Sequence, residues 1–188
     1  MSVQSWQETL VAQTAAGTLF NTYTTAKTII PAQCLFTLPA NYFAVGRALR
    51  LTVAGAISNI VTTPGTLTFQ VKLGSVIAFS TGALQLSTTA HTLTPFWLQL
   101  LLTCRSVGLS TSGTLMGQGV IFSRAVNATA VADGTQTDSA LLAPITAPAV
   151  GTGFDSTAAQ IVDFFGGFSI NDVGNGIQIQ QYTLESLN

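Results

Sequence analysis

Charge is the scarcest thing in this sequence. Six Lys and Arg stand against seven Asp and Glu, 7% of the 188 residues. A soluble domain ordinarily carries about 25%. With a net charge of −1, mutual repulsion does little to keep copies apart. There is no basic patch either: Arg47 and Arg50 are the densest positive pair, and neutralising several phosphates takes more. No nucleic-acid partner is expected. Long hydrophobic runs are also missing. A membrane-spanning helix needs about 20 consecutive apolar residues, and the apolar run from Phe96 to Leu102 is far shorter and interrupted by Gln99. No membrane partner is expected.

Chemistry-bearing residues are as sparse as charge. Cys34, Cys104 and the single His91 lack metal-ligand spacing, so no metal and no cofactor is expected. The start, "MSVQSWQETLVAQTAAG", has no positive region followed by an apolar one. The expectation is a chain kept in a cytosol until assembly, with its two cysteines as buried free thiols. "STTAHTLT" around His91 reads as a polar loop with no acid or nucleophile elbow beside it. Asp133 and Asp138 in "ADGTQTDS" miss the alternate-residue pattern of a Ca²⁺ loop and its closing Glu. Asp155 and Asp163 have no second acid close to either, so a carboxylate pair would have to be assembled by the fold. "NAT" at Asn127 matches a glycosylation signal without a secretory context. No catalytic residue is assigned, and a non-enzymatic protein is expected.

What the chain has in quantity is period-two alternation. Leu49, Leu51, Val53 and Ile57 share one side, with Arg50, Thr52, Ala54 and Ser58 on the other. After "TTPGT", the pattern resumes with Leu67, Phe69, Val71 and Leu73 inward, and these two runs are expected to pair antiparallel across the Pro64-Gly65 turn. "TPFWLQLLLTC" puts Phe96, Leu98, Leu100, Leu102 and Cys104 on one face. Trp97 and Leu101 fall on the other and need a second cover: a loop, the N-terminal segment or a neighbouring subunit. "GTLMGQGVIFSRAV" is a further strand, in which Gly117 and Gly119 allow a bulge or close packing. "AQIVDFFGGFSI" turns Val162, Phe164, Phe168 and Ile170 to one side. "NDVGNG" is expected to make a hairpin turn of type I′ at Asn175-Gly176. Only Ser5 to Ala12 hints at a helical period.

About eight to ten short strands are expected at this spacing, which points to an all-β antiparallel β-sandwich of the jelly-roll type. A seven-strand immunoglobulin-like sandwich is the alternative. The domain is placed at residues 18–188, preceded by an N-terminal arm, residues 1–17. The arm carries Trp6, Leu10 and Val11, which a solvated tail has no use for. It is expected to pack on another chain with Trp6 as anchor, or else to fold back over Trp97 and Leu101. These five are the candidate interface residues.

Three stretches carry a resemblance. They are "FTLPANYFAVGRALRLTVAGAISNIVTTPGTLTFQVKLGSVIAF", "LTCRSVGLSTSGTLMGQG" and "APAVGTGFDSTAAQIVDFFGGFSINDVGNGIQIQQYTLESLN". Together they resemble jelly-roll virion components encoded by tailed bacteriophages and prophages, over Gly17 to Asn188. The first sixteen residues depart from that pattern. The resemblance implies a structural protein of the particle, located in the virion. The expected role is a head decoration or cement protein, a homotrimer bridging neighbouring major capsid subunits or other virion structural proteins. The alternative is a tail, baseplate or fibre component that binds a host sugar or protein. Exposed aromatics gathered at one place, Tyr42 with Phe43 or Trp97, would favour the alternative.

Overall fold

The computed structural model describes residues 7–60, 62–127 and 140–187. Four short strands come first: β1 (Gln7–Ala12), β2 (Phe20–Asn21), β3 (Lys27–Thr28) and β4 (Phe36–Leu38), with a single 3-10 turn at Ala32–Cys34. Then follow β5 (Ala48–Asn59), β6 (Thr66–Leu73), β7 (Val76–Ser80), β8 (Leu84–Leu86) and the long β9 (His91–Ser106). The remainder are β10 (Thr114–Ser123), β11 (Val126–Asn127), β12 (Ala140–Ala143), β13 (Gln160–Phe168) and β14 (Gly176–Leu187).

These strands form two antiparallel sheets laid face to face, an all-β sandwich. The first runs β1-β14-β5-β9-β10-β12, with β2 added to β14. The second runs β11-β8-β6-β13-β3, with β4 added to β13 and β7 to β6. The chain crosses between the sheets repeatedly, passing from β5 to β6, from β8 to β9 and from β13 to β14. This habit belongs to jelly-roll topologies.

The core follows from alternation. Leu49, Leu51, Val53, Ile57, Leu98, Leu100, Leu115, Ile121 and Leu184 of the first sheet meet Leu67, Phe69, Val71, Val162 and Phe164 of the second, all fully buried. Phe69 is stacked between Phe96 at 5.6 Å and Phe164 at 5.3 Å, so three rings tie the two layers together. Gly119 lets β9 and β10 lie close: a Cβ there would sit 2.0 Å from the Gln99 carbonyl oxygen. Gly117 likewise makes room for the Phe79 ring, so close packing rather than a bulge explains this glycine pair. Cys34 and Cys104 are buried free thiols, and burial raises both above the ordinary thiol range.

Several expectations are corrected. The runs on either side of Pro64-Gly65 do not pair: β5 lies between β14 and β9, and β6 between β13 and β8. The apolar sides of the two strands face each other across the core instead of lying side by side. The turn is a crossing between layers, with Gly65 at φ +76°. Likewise β13 and β14 belong to different sheets, and neither Asn175 nor Gly176 has a positive φ. Asn175 is buried, and its side chain joins the two crossings. Its Nδ2 donates to the Pro64 carbonyl at 3.0 Å, and its Oδ1 accepts from the Ile60 N–H at 3.2 Å.

Residues 7–12, expected in the arm, are the edge strand β1, paired with β14. The faint helical period there is overridden by the open edge of β14. Ile170 lies beyond the end of β13 and is exposed. No helix among the described residues is long and apolar enough to cross a membrane.

Candidate functional site

The first sheet turns a second apolar surface outward. Strand register places its residues in rows. In one row, Ala54 of β5 stands beside Trp97 of β9, then Phe122 of β10, then Ala140 of β12. The next row is Thr52, Gln99, Val120 and Leu142. A third holds Arg50, Leu101 and Gln118. Because every second residue of these strands fills the core, these side chains have no option but to face out. Leu142 is 77% exposed, Leu101 45% and Phe122 42%. Trp97 is half-buried against Phe122, with ring centroids 5.6 Å apart and planes tilted by 43°.

Beside that ring pair lies an open groove of about 370 Å³, bordered by Thr94, Pro95, Ser123 and Arg124. Ser123 is fixed there: its Oγ donates to the Pro95 carbonyl at 3.1 Å and accepts from the Ala125 N–H at 3.1 Å. Thr94 Oγ1 lies 3.2 Å from His91 Nδ1. A neighbouring cleft of about 540 Å³ runs along β12, between Gln118 and the Pro144–Pro148 segment.

The charged end of this face is self-neutralised. Arg50 Nε donates to Glu185 Oε2 at 2.6 Å, and Gln7 Nε2 donates to the same carboxylate. The Arg50 hydrogen bond holds the Glu185 carboxyl below its usual range. Arg47 is also engaged, donating to the Tyr42 carbonyl with its guanidinium over the Tyr42 ring at 4.9 Å.

The four expected interface residues that the structure describes therefore do not form one surface. Trp97 and Leu101 share the outer face of the first sheet. Leu10 and Val11 lie on β1, separated from β9 by β14 and β5, and are half-buried against their own core. The segment 7–12 covers neither Trp97 nor Leu101; it extends the sheet. Trp6 lies outside the described residues, as do Asp133 and Asp138. Of the two aromatic groups considered, Tyr42 and Phe43 do not form an exposed cluster. Phe43 is buried on Phe154 at 5.1 Å, and Tyr42 donates its hydroxyl to Ser186 Oγ at 2.5 Å. The Trp97 group gains Phe122, Val120 and Leu142. Phe122 and Val120 were legible in the alternation of "GQGVIFS", while Leu142 was lost in what read as a long connection.

Among the described residues no catalytic constellation gathers. His91 opens β9, paired in register with Asn59. Asp155 is tied into its own turn by Thr157, whose hydroxyl at 2.6 Å lowers its pKa. Asp163 sits on the outer side of β13, raised by burial and accepting from Thr28 Oγ1 at 2.6 Å. Among the described residues no group of three or more His, Cys, Asp or Glu could hold a metal.

No family model matches the chain, and no curated protein matches it. Among solved structures, the chain is similar to the CBM2 module of the evolved Dit of Lactobacillus casei BL23 phage J-1. The match covers 99% of this chain and 98% of that one, at 14% identity and a TM-score of 0.38. A likeness of that degree carries neither function nor site across.

Proposed function

We propose that this chain is a non-enzymatic structural module of a tailed-bacteriophage particle, seated in the tail or baseplate, that works by docking the outer face of its first sheet. One observation carries the reading: exposed apolar side chains gather in adjacent rows on one side. Leu101, Phe122 and Leu142 stand together on that face with Trp97. The outer side of the second sheet carries Lys72 and Asp163, with Ile161 as an exposed apolar residue of β13. Other exposed apolar residues, such as Val45, Leu109 and Val173, are scattered singly in loops, which is ordinary. A cement protein bridging neighbours in a shell needs contact surfaces on more than one side. A module docked on one partner needs one. The sequence resemblance to virion components supports the particle; a single clustered apolar face supports the tail over the head.

The test is location and copy number. A tagged chain in assembled particles, imaged by electron microscopy, is expected in a few copies at the tail. Hundreds of copies on the head, as homotrimers over the major capsid protein, would overturn the placement.

A further inference from the structure

Residues 18–32 cross from one sheet to the other along a side of the sandwich. β2 pairs with β14 of the first sheet, and β3 with β13 of the second. A ladder of rings runs outward there from the core. Phe168 is stacked on Phe20 at 6.1 Å, Phe20 on Tyr23 at 5.2 Å, and the Lys27 ammonium stands over the Tyr23 ring at 3.5 Å. The outer end of this ladder borders a pocket of about 400 Å³, lined also by Thr18, Leu19, Ile30 and Pro31. We infer that the pocket binds a carboxylate-bearing sugar, a hexuronic acid residue of a glycan, with Lys27 as the partner of its carboxylate. The inference goes beyond the docking reading and does not depend on it.

Charge selects the ligand. Among the described residues the one ion pair is Arg50–Glu185, so Lys27 is a cation without a carboxylate partner. None of the described residues lining the pocket is an acid. The Tyr23 ring holds the ammonium in place, so little freedom remains to be lost when an anion arrives. A single ammonium balances the one charge of a carboxylate, whereas a phosphate monoester carries close to two. The lining decides what carries the carboxylate. Leu19, Ile30 and Pro31 are apolar, and Tyr23 and Thr18 add hydroxyls. A fatty chain would press methylene groups on those hydroxyls and leave them unbonded. A sugar ring alternates C–H groups with hydroxyls and meets both kinds of wall. The volume falls in the range of small-molecule sites, about 300 Å³ upward. Thr28 sets the orientation. Its hydroxyl donates to Asp163 at 2.6 Å, so that side of the pocket is acidic, and the ligand's carboxylate belongs on the side of Lys27 and Tyr23.

The probes are methyl glucuronide and methyl galacturonide, set against methyl glucoside, methyl galactoside, acetate and inorganic phosphate. Binding to the full chain is read by NMR from the amide shifts of residues 18–32. Saturable shifts with at least one uronide are expected, with an affinity ~10-fold or more above that of its neutral counterpart. Lys27→Met should weaken uronide binding by a similar factor, with unchanged melting temperature. The comparison of acidic with neutral glycosides uses the unaltered chain, so it stands even where Lys27→Met lowers the melting temperature. The site is overturned by no saturable shift with either uronide, by equal affinity for the neutral glycosides, or by acetate or phosphate binding as tightly as the uronides. Undiminished uronide binding by a folded Lys27→Met chain overturns it too. Failure here is separable from failure of the docking reading. β2 hangs on β14, which β5 separates from β9, so Leu101→Glu with Leu142→Glu tests attachment to particles while leaving uronide binding unchanged.

Discussion

The outer faces of the two sheets are made by the same alternation, yet they leave different things in contact with water. On the first, Trp97, Phe122, Val120, Leu101 and Leu142 lie in adjacent rows, and the charges standing in those rows, Arg50 and Glu185, pair with each other. On the second, Phe165 is covered by the Lys72 ammonium at 3.8 Å, Asp163 stands opposite Lys72 and accepts from Thr28, and Ile161 is an exposed apolar residue of β13 away from the first-sheet rows. A face that uses its few charges to cover its aromatic carbon can stay in solvent. A face that pairs its charges at one end and leaves its aromatic carbon bare is prepared for a partner. In a chain this poor in charge, where the charges stand says more than how many there are.

The largest effect should belong to neither face, and would show that both hang on one core. Phe69→Ala or Phe164→Ala breaks the three-ring stack and should cost roughly 3–5 kcal/mol, read by urea denaturation. A loss under about 1 kcal/mol would mean that the two layers are not joined there.

Next comes the edge. Leu10 and Val11 pack on the core, and the Gln13 N–H donates to the Tyr182 carbonyl at 2.8 Å. Deleting residues 1–12 should therefore destabilise the isolated domain by about 2 kcal/mol, from the apolar area returned to water. An unchanged unfolding midpoint with lost assembly would restore the view of this segment as a free arm.

The comparison of faces is tested directly by charge insertion. Leu101→Glu with Leu142→Glu should abolish attachment to particles while changing stability by no more than about 0.5 kcal/mol. Gln70→Glu on the second sheet should leave attachment intact. Loss of attachment from the second-sheet substitution alone would reverse the assignment of faces. Attachment through the first face should also survive molar salt, where the screening length falls to about 3 Å.

The smallest effects are in pH dependence, and the two faces should differ in sign. Glu185 is held below the ordinary carboxylate range by Arg50, so its contribution is present above that range and lost as pH falls through its folded-state value. Asp163 is raised by burial, so its contribution is present at low pH and lost as pH rises through its folded-state value. Melting curves across the acid range should show Glu185→Gln with a shallower rise of stability with pH, and Asp163→Asn with a steeper one.

Much of this was legible without coordinates. Alternation marks a side chain as in or out from its immediate neighbours, so Phe69, Val71, Leu98, Leu100 and Phe164 could be assigned to the core, and Trp97 with Leu101 to an uncovered face. The sandwich class followed from many short alternating runs. Pairing was not legible. Pro64-Gly65 and Asn175-Gly176 signal a change of direction, but a hairpin and a crossing between layers make the same local demand on the chain. Which one forms depends on Asn175 bonding at once to Pro64 and Ile60, more than a hundred residues away. The same holds for β1, whose weak local pattern yields to the open edge of β14, and for the Trp97–Phe122 corner, which exists only because β9 and β10 pair in that register. Burial is set by periodicity within a segment, and the sequence by itself determined it. Partnership between segments is set by which distant strand offers free hydrogen bonds and a matching face, and that only the tertiary structure decided.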